Sequence, residues 1–522
     1  MVACTTEKVK ALMNPTPRTN EPQEIELKLS LPGAASAGLA RRLARLPVLA
    51  RHKATRESLY NIYYDTPGQT LHQQRISLRL RRVGSAATAQ WRQTLKTGMS
   101  DEAALSRRGE WETAVGSAAL DPDALKLTPW VDIDPDGKLF EALLPCFVTA
   151  FDRTIWRLNR PDGTVVEVAL DIGQLEANGR QAPICELELE LKAGSSAALF
   201  ELAREIAGSL AVLPTNQSKA QRGFLLVQDG LNRPQRAQSP RLSPNLSGPE
   251  LAQRVLREMF AQFTSNLNAL ALSDDPEIVH QARVGWRRFK SALRLFRKIA
   301  EVAAPPDRLG LQPLLAFLSE LRNLDVALTE TLPPLASGYC RGDEQRLEIW
   351  QAMLTALTQA AALQRKAVRD ALQEPGVGLN LLLITEWLDA LPGSNGTVTE
   401  KKVMLRHWAK RRILRLHDRL QTAQKDATTQ AQQHQVRILA KRLRYGVEAL
   451  RDLLPKRLAD FCYEHAAGIQ SAIGATRDLS QVSSLVASLE LNPGIAEFLH
   501  GVAVGSKRAS TIAQAADSLS SS

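Results

Sequence analysis

The segment of this sequence best suited to chemistry is the run Glu24-Ile25-Glu26-Leu27-Lys28-Leu29. In an extended strand the side chains alternate between two faces, so Glu24, Glu26 and Lys28 share one face and the aliphatic residues take the other. In an open sheet the charged row would simply face water. In a strand that lines a polar cavity, the same row would offer two carboxylates to a metal ion and an ammonium group to an anion.

The same alternation recurs as far as about residue 230 and predicts a series of half-buried strands. Cys185–Lys192 repeats the opening pattern in acidic form, with Glu186, Glu188 and Glu190 on one face. Because charges of both signs at strictly alternate positions are unusual for a solvated face, we expect a closed barrel with the charges in its lumen. Other charged or polar residues predicted on that face are Ser77, Arg79, Arg81, Gln90, Arg92, Thr94, Lys96, Ser106, Arg108, Glu110, Glu112, Arg153, Arg157, Glu167 and Asp171.

Composition and charge limit the class of protein. A chain of 522 residues is too long for one core, and 44% hydrophobic with 23% charged residues is typical of a globular protein. The net charge of +11 indicates an anionic partner. The five cysteines are scattered without C-x-x-C spacing, which argues against a disulfide framework or a zinc site and for a reducing compartment.

The sequence contains no uninterrupted apolar segment long enough to span a membrane. Residues 1–21 are polar and lack the apolar region of a signal peptide, so we expect a disordered leader. These features predict a cytoplasmic protein without a membrane partner.

The second half of the chain has a helical period and an internal repeat. Most of residues 250–515 is predicted to be helical. The pattern His280-x-x-Arg283-x-x-x-Arg287-Arg288 recurs 154 positions later as His434-x-x-Arg437-x-x-x-Lys441-Arg442. In each copy basic residues at spacings of three and four form a stripe beside an apolar one. The copies differ where Glu448 stands at the position of Arg294.

A basic stripe usually faces solvent, but like charges one helical turn apart repel each other. Two such stripes with almost no interleaved acid indicate an external polyanion. Nucleic acid is not expected, because the helices lack interleaved aromatic residues and a recognisable helix-turn-helix. The residues predicted to bind the polyanion are His280, Arg283, Arg287, Arg288, Lys290, His434, Arg437, Lys441, Arg442 and Arg444.

Several motifs together resemble a known family. The residues from about 23 to 230 resemble the CYTH superfamily, also called triphosphate tunnel metalloenzymes, and those from about 250 to 515 resemble the CHAD domain through the paired His/Arg helices. Besides the two charged strands, the CYTH resemblance rests on Tyr64-Asp65-Thr66-Pro67, Leu78-Arg79-Leu80-Arg81, Thr94-Leu95-Lys96 and Ser218-Lys219.

The resemblance implies an α+β fold class. An N-terminal eight-stranded antiparallel β-barrel, a tunnel with flanking helices, is followed by an all-α CHAD domain of two pseudo-symmetric helical halves. The expected parts are the leader 1–21, the CYTH tunnel domain 22–230, a linker 231–249 and the CHAD domain 250–515.

The resemblance also implies an inorganic triphosphatase that hydrolyses tripolyphosphate to pyrophosphate and phosphate, with Mg²⁺ as cofactor, Mn²⁺ as the alternative ion, and inorganic polyphosphate bound by the CHAD domain. Phosphoryl transfer to water requires metal ions on the phosphate oxygens and cations gripping the rest. Glu26 and Glu188 are the best candidates for direct metal ligation. The implied metal ligands are Glu24, Glu26, Glu186, Glu188 and Glu190; the catalytic residues are Glu24, Glu26, Lys28 and Glu188; the substrate-binding residues are Lys28, Arg79, Arg81, Lys96, Arg153 and Lys219.

Two alternatives remain from the sequence. The first is an organic substrate, which would make the protein a thiamine triphosphatase, a nucleoside triphosphatase or an adenylate cyclase and would require a pocket for the base or thiazolium. Trp91, Trp111 and Trp156 are aromatic candidates, but each is predicted on the face opposite the charged row. The second is a polyphosphate-binding protein with an inactive tunnel, which the intact acidic strands disfavour.

Overall fold

The protein is described here by a computed structural model. It divides into two compact units: the first comprises residues 1–233, 271–273 and 372–389, and the second comprises the remainder. Residues 372–389, expected within the helical domain, thus group with the barrel. The expected leader, 1–21, lies outside the described residues, which are 23–33, 37–84, 89–98, 104–240, 242–243, 246–297, 304–391, 401–489 and 492–505.

Eight antiparallel strands close into a barrel in the order β1–β5–β4–β3–β2–β6–β7–β8, and β8 pairs again with β1. This confirms the predicted barrel. A short ninth strand pairs with the end of β1. The strands are β1 (Gln23–Ser30), β2 (Ala54–Asp65), β3 (Ser77–Val83), β4 (Gln90–Thr97), β5 (Leu105–Val115), β6 (Leu144–Asn159), β7 (Val165–Ala177), β8 (Arg180–Ala193) and β9 (Leu213–Pro214).

Helices flank the barrel and form the second unit, which confirms the predicted helical region. The α-helices are α1 (Leu39–Leu43), α2 (Thr70–Gln73), α3 (Trp130–Ile133), α4 (Lys138–Glu141), α5 (Ala197–Ala207), α6 (Lys219–Val227), α7 (Gly248–Leu270), α8 (Pro276–Phe296), α9 (Gln312–Val326), α10 (Ala336–Cys340), α11 (Glu344–Leu372), α12 (Pro375–Ala390), α13 (Lys401–Lys425), α14 (Gln430–Leu450) and α15 (Lys456–Ser488).

The register of the barrel turns the charged rows inward and the aliphatic rows outward. Lys28 pairs with Glu188 across β1 and β8, while the neighbouring Leu27 and Leu29 are fully buried in an outer core beneath α5. Burial of the aliphatic rows outside the barrel, at about 25 cal/mol per Å² of apolar surface, is therefore what holds the charged rows in the lumen.

Helix α6 fills one end of the lumen. Its first turn is fixed by a capping box, in which the Ser218 side chain accepts from the Gln221 backbone amide. Phe224 and Phe147 meet edge to face with ring centroids 5.1 Å apart. A Cβ at Gly223 would lie 2.0 Å from the Phe147 ring, so this approach requires glycine. The lumen consequently has a charged part and an apolar floor, and the sequence analysis had anticipated only the first.

Helix α12 packs on the outside of the barrel although it lies far along the chain. Leu382 belongs to the same buried cluster as the outer strand residues and α5. At Gly378 a Cβ would lie 2.1 Å from the Val212 carbonyl oxygen. Arg107 and Asp389 form an ion pair at 2.9 Å. The apolar surface of the barrel is therefore covered in part by a segment from the second half of the chain.

The second unit repeats its helices at the spacing predicted from the charge pattern. Moving α8 along the chain by 154 residues superposes its bounds on those of α14, and the same shift places α7 within α13. Both α8 and α14 begin with a side-chain cap, Asp275 on the Glu277 amide and Thr429 on the Gln432 amide. The helices α8 and α14 pack against each other.

Asp65 at the end of β2 is predicted to matter for stability, since its buried carboxylate accepts three backbone hydrogen bonds, from Thr66 at 2.7 Å and from Leu71 and His72 at 2.9 Å. We expect Asp65→Ala to lower the free energy of unfolding by about 3 kcal/mol, measured by urea unfolding. Asp152→Ala, at an exposed position of β6, is the control and should change it by about 0.5 kcal/mol or less. Equal effects of the two substitutions would contradict the turn-fixing role.

Candidate active site in the barrel lumen

Three carboxylates from two adjacent strands converge on one cation. Asp171 of β7 and Glu186 of β8 are paired in the register, and Glu188 follows on β8. One oxygen from each of the three lies within 4.8 Å of the others. The Lys219 ammonium, at the start of α6, is 2.6 Å from Asp171 and 3.0 Å from Glu188 and also binds Glu186. Asp171 and Glu186 are buried and Glu188 is half-buried, so a shared cation is what makes the negative charge of the cluster tolerable.

A second acidic group lies on β1. Glu24 accepts from Lys96 Nζ at 2.8 Å and from Arg108 Nε at 2.6 Å. Glu26 accepts from Lys28 Nζ at 2.9 Å and also pairs with Arg108. Because Lys28 also binds Glu188, it joins this group to the three-carboxylate cluster. The lumen thus holds one continuous network of alternating charges.

The opposite wall of the lumen is basic. Arg79 is 3.4 Å from Glu110, and Arg81 Nε donates a hydrogen bond to the Asn61 side-chain oxygen at 2.8 Å. Burial together with the nearby guanidinium groups of Arg79 and Arg153 lowers the pKa of Arg81 to about 10. Arg81 therefore sits in a field that is positive on balance, which an anion entering the lumen would relieve.

Two carboxyl groups of the lumen, those of Glu188 and Glu24, are held in the ionised form by the cations that surround them. Burial raises the pKa of Glu188, but Lys219, Lys28 and Arg153 outweigh it and leave the pKa well below its usual value. For Glu24, Lys96 and Arg108 likewise outweigh burial and depress the pKa. Carboxylates that remain ionised are the form required of metal ligands.

The donor set suits a hard divalent cation. Mg²⁺ prefers carboxylate oxygens and keeps several waters, so few acids suffice. Asp171, Glu186 and Glu188 offer three carboxylates that already share one cation, the Lys219 ammonium. These residues fit such an ion.

The predicted lumen residues do not all occupy equivalent places. Glu190 lies nearer solvent and pairs with Lys192, and burial raises the pKa of its carboxyl group. Arg153 binds Asp171 at 2.6 Å and also Glu188, so it lies on the acidic wall. Asp171, which the sequence analysis placed only on the lumen face, is completely buried at the centre of the cluster.

Tyr63 is a lumen residue that the sequence analysis did not single out. Its ring stacks on Phe147 with centroids 4.6 Å apart. Although burial raises the pKa of the Tyr63 hydroxyl, Arg79 and Arg81 lower it on balance. The available signal was its position in β2, two residues from Asp65 and two residues from Asn61 and thus on the same face as both.

The predicted polyanion residues in the second unit differ in exposure. His434 and Lys290 are exposed, whereas His280, Arg283, Arg287, Arg437, Lys441, Arg442 and Arg444 are partly buried. Arg444 pairs with Glu448 at 3.3 Å. Burial and the nearby Arg322 lower the pKa of His280. Arg288 is 1% exposed and bound to internal carboxylates, so its place is inside the unit and not on a binding surface.

Comparison with known proteins agrees with this division. Residues 22–224 match the CYTH domain family and residues 254–487 match the CHAD domain family. Over 218 residues the chain is 31% identical to an inorganic triphosphatase of Haemophilus influenzae; the match covers 40% of this chain and 58% of that protein, little more than half its length. The chain is therefore a CYTH–CHAD protein, with the CYTH domain in the barrel and the CHAD domain in the helical region.

Solved structures with lower sequence identity are also similar to parts of the chain. The CHAD domain from the plant Ricinus communis is 24% identical, with a TM-score of 0.44, covering 53% of this chain and 91% of that one. A putative adenylyl cyclase from Hippeastrum, described as having a dominant triphosphatase activity, is 17% identical with a TM-score of 0.28, covering 40% of this chain and 96% of that one. Among the described residues, no helix is long and apolar enough to cross a membrane.

The charge network of the lumen predicts a range of pH over which stability is nearly constant, with losses at lower and at higher pH. The pKa values of Glu24 and Glu188 are lowered, so their contribution is present above the unfolded value of about 4.3 and lost as the pH falls through the folded pKa values. The pKa values of Lys28 and Lys219 are raised, so their contribution is present below about 10.4 and lost as the pH rises through the folded ones.

We therefore expect the urea midpoint of the barrel to be nearly constant from about pH 5 to pH 10 and to fall outside this range. Tryptophan fluorescence during urea titration measures it. Glu188→Gln is the comparison variant, and its acid-side loss should be shallower because one depressed carboxyl group is gone. A midpoint that stays constant down to pH 3 would show that the network does not stabilise the barrel.

Proposed function

We propose that this protein is a metal-dependent inorganic triphosphatase that hydrolyses tripolyphosphate to pyrophosphate and phosphate in the lumen of its barrel. The observation that carries the proposal is that a cluster of three carboxylates, two buried and one half-buried, shares one enclosed space with the guanidinium groups of Arg79 and Arg81. A linear triphosphate is a multiply charged anion, and its hydrolysis is catalysed mainly by positioning and charge stabilisation.

In this proposal Asp171, Glu186 and Glu188 hold Mg²⁺, with Mn²⁺ as the alternative, and Glu24 and Glu26 complete the acidic end. The ion, when bound, supplies Lewis-acid polarisation of the phosphate oxygens. The basic residues hold the substrate. Arg79 and Arg81 can each grip two phosphate oxygens in parallel, whereas the lysines act as point charges. The full substrate-binding set is Lys28, Arg79, Arg81, Lys96, Arg153 and Lys219.

Binding of metal and substrate would change the ion-pair partners of the lysines in the lumen network. Lys28 and Lys219 are bound to carboxylates in the structure. With the carboxylates holding a metal ion, Lys28 and Lys219 would pair with phosphate oxygens instead, so that no charge would lose its counter-charge. This exchange couples metal and substrate binding, since either one alone would leave buried charges unpaired.

The aromatic residues favour an inorganic substrate. Trp156 is buried in the outer core, and Trp111 packs against another outer cluster, as the predicted register requires. The rings in the lumen are already covered: Phe147 is stacked on Tyr63, and the Phe151 ring faces Lys219 at 5.0 Å and Arg153 at 5.7 Å. Because Phe147 and Phe151 already have these partners, stacking of a base or thiazolium ring on them would disturb existing contacts.

The helical unit is proposed to bind inorganic polyphosphate through the basic stripe predicted on α8 and α14, apart from the buried Arg288. A stripe of like charges is repulsive in isolation, and a polyanion offsets the repulsion. The cytoplasm is part of the proposal, because Cys146, Cys185, Cys340 and Cys462, the four cysteines among the described residues, are all free thiols.

The test of catalysis is phosphate release from tripolyphosphate, ATP and thiamine triphosphate, each with Mg²⁺ or with EDTA. We expect the fastest release from tripolyphosphate and none with EDTA. Asp171→Asn and Glu188→Gln should each lower kcat/KM at least about a hundredfold, because each removes a charge from the metal cluster.

Glu176→Gln, at an exposed position of β7, is the control and should behave as wild type. Faster release from ATP or thiamine triphosphate would move the assignment to an organic triphosphatase. Release that persists in EDTA, or in both cluster variants, would rule out the proposed metal chemistry.

Polyphosphate binding is tested separately by charge reversal on the two stripes. The double variant Arg283→Glu/Arg437→Glu should weaken binding of long-chain polyphosphate at least about tenfold at low salt, as measured by fluorescence anisotropy, because each substitution turns an attraction into a repulsion. Lys425→Glu/Arg457→Glu, at exposed positions with the same change of net charge, is the control. Binding that is weakened equally by both double variants would indicate a response to net charge alone.

A further inference from the structure

Asn61, in β2, lies between a luminal arginine on one neighbouring strand and a threonine on the other. The register pairs Asn61 with Arg81 on β3 and with Thr149 on β6, so the three side chains share one face of the sheet. Asn61 and Thr149 are completely buried. Arg81 Nε donates to the Asn61 side-chain oxygen at 2.8 Å, and the Asn61 amide nitrogen donates to the Thr149 hydroxyl at 2.9 Å. One buried amide therefore joins Arg81 to β6.

The orientation of the Asn61 amide follows from the chemistry of its two partners. A guanidinium group has only donors, so Arg81 requires the amide oxygen, and the amide nitrogen must then face the Thr149 hydroxyl. The amide holds Arg81 through Nε alone. Among the described residues, the terminal nitrogens of Arg81 make no hydrogen bond, and the carboxylate paired with them, that of Glu112, is 3.9 Å away. The outer edge of the guanidinium group is therefore available to a ligand.

Two other arginines of the lumen have carboxylates where Arg81 has an amide. Arg153 Nε donates to Asp171 at 2.7 Å, and a terminal nitrogen of the same group binds both Asp171 and Glu188. Arg108 is held in the same way by two carboxylates. Such partners neutralise a guanidinium group while they orient it. The amide orients Arg81 without neutralising it.

The carboxylate paired with Arg81 has a nearer partner of its own. Glu112 accepts from Arg92 Nη1 at 2.9 Å, which is 1.0 Å closer than its approach to Arg81. The surroundings of Arg81 are otherwise basic, since burial together with the guanidinium groups of Arg79 and Arg153 lowers its pKa to about 10. At neutral pH the group is still charged, and a phosphate oxygen would supply the close counter-charge that Glu112 does not.

We propose that Asn61 is a positioning residue for the triphosphate: its neutral oxygen fixes Arg81 through Nε, so that the terminal nitrogens and the full charge of that group are directed to phosphate oxygens. The inference rests on the proposed function, which assigns Arg81 to the substrate. A carboxylate at position 61 would orient the same guanidinium group but compete with phosphate for its charge. Thr149 contributes indirectly, because its hydroxyl determines which way the amide faces.

The first test is Asn61→Asp in the full-length protein, assayed on tripolyphosphate with Mg²⁺. The side chain keeps its size, and the Thr149 hydroxyl can turn to donate to the new oxygen. We expect the carboxylate to pair with Arg81 and to raise KM about tenfold, with kcat changed less than about twofold, because the grip of Arg81 is lost in the ground state and the transition state alike. Asn159→Asp, the same change at an exposed position of β6, is the control and should leave both constants unchanged.

Asn61→Ala is a second variant that introduces no charge. It removes the acceptor of Arg81 Nε and should raise KM about threefold, because the guanidinium group is no longer held in one orientation. In an Arg81→Gln background the same substitution should have no further effect on KM, since Asn61 acts through Arg81. An effect of Asn61→Ala that is equally large in both backgrounds would show a general disturbance of the barrel and would overturn the positioning role.

Binding measured without turnover separates this inference from the proposed function. The probe is the methylene-bridged analogue of tripolyphosphate, which cannot be hydrolysed, titrated calorimetrically with Mg²⁺ present. We expect Asn61→Asp to raise its Kd about tenfold. That result in a protein that does not hydrolyse tripolyphosphate would support the role of Asn61 and contradict the proposed function. Hydrolysis by wild type, with KM and Kd unchanged in Asn61→Asp, would overturn the role of Asn61 and leave the function standing. A wild-type protein that neither binds the analogue nor hydrolyses tripolyphosphate would overturn both.

Discussion

Neutralisation of confined charge is the constraint on which the structure of the barrel depends. A buried ion without a partner costs several kcal/mol, and the lumen gathers many ions of both signs. Lys28 and Lys219 satisfy the constraint by standing between carboxylates, Lys28 between Glu26 and Glu188 and Lys219 within the three-carboxylate cluster. The charges cancel one another without leaving the lumen. In the proposed function they are the charges that a metal cation and a polyanionic substrate would pair with.

The apolar residues packed on the barrel offset the cost of confining charges in its lumen. The charged rows contribute little net stability, because desolvation offsets much of their mutual attraction. Stability comes instead from the outer cores beneath α5 and α12 and from the floor formed by α6. Because α6 also carries Lys219, the helix that closes the lumen delivers the cation on which the acidic cluster converges. The packing of α6 on the barrel therefore also positions Lys219 in the acidic cluster.

The sequence predicted which residues of each strand face the lumen better than it predicted which of those residues contact one another. Strict alternation was enough to place Glu186, Glu188 and Lys28 in the lumen, because the period of a strand is local. Which residues meet across the lumen depends on strand tilt and stagger, which alternation does not encode. Alternation therefore could not show that Asp171 lies in the three-carboxylate cluster while Glu190 pairs with Lys192. The attachment of α12 to the barrel was missed for a similar reason, since a helix that packs on a distant surface has the same pattern as one that packs locally.

In the helical unit, two equivalent arginines have different charged neighbours. The period and the 154-residue repeat placed α8 and α14 correctly, yet identical motifs gave Arg288 and Arg442 opposite surroundings. The difference lies in residues outside the motif, Glu258 and Glu448 in one case and Arg412 and Arg294 in the other. The repeat therefore predicts which residues align, while the charge around each aligned arginine depends on residues that the motif does not include.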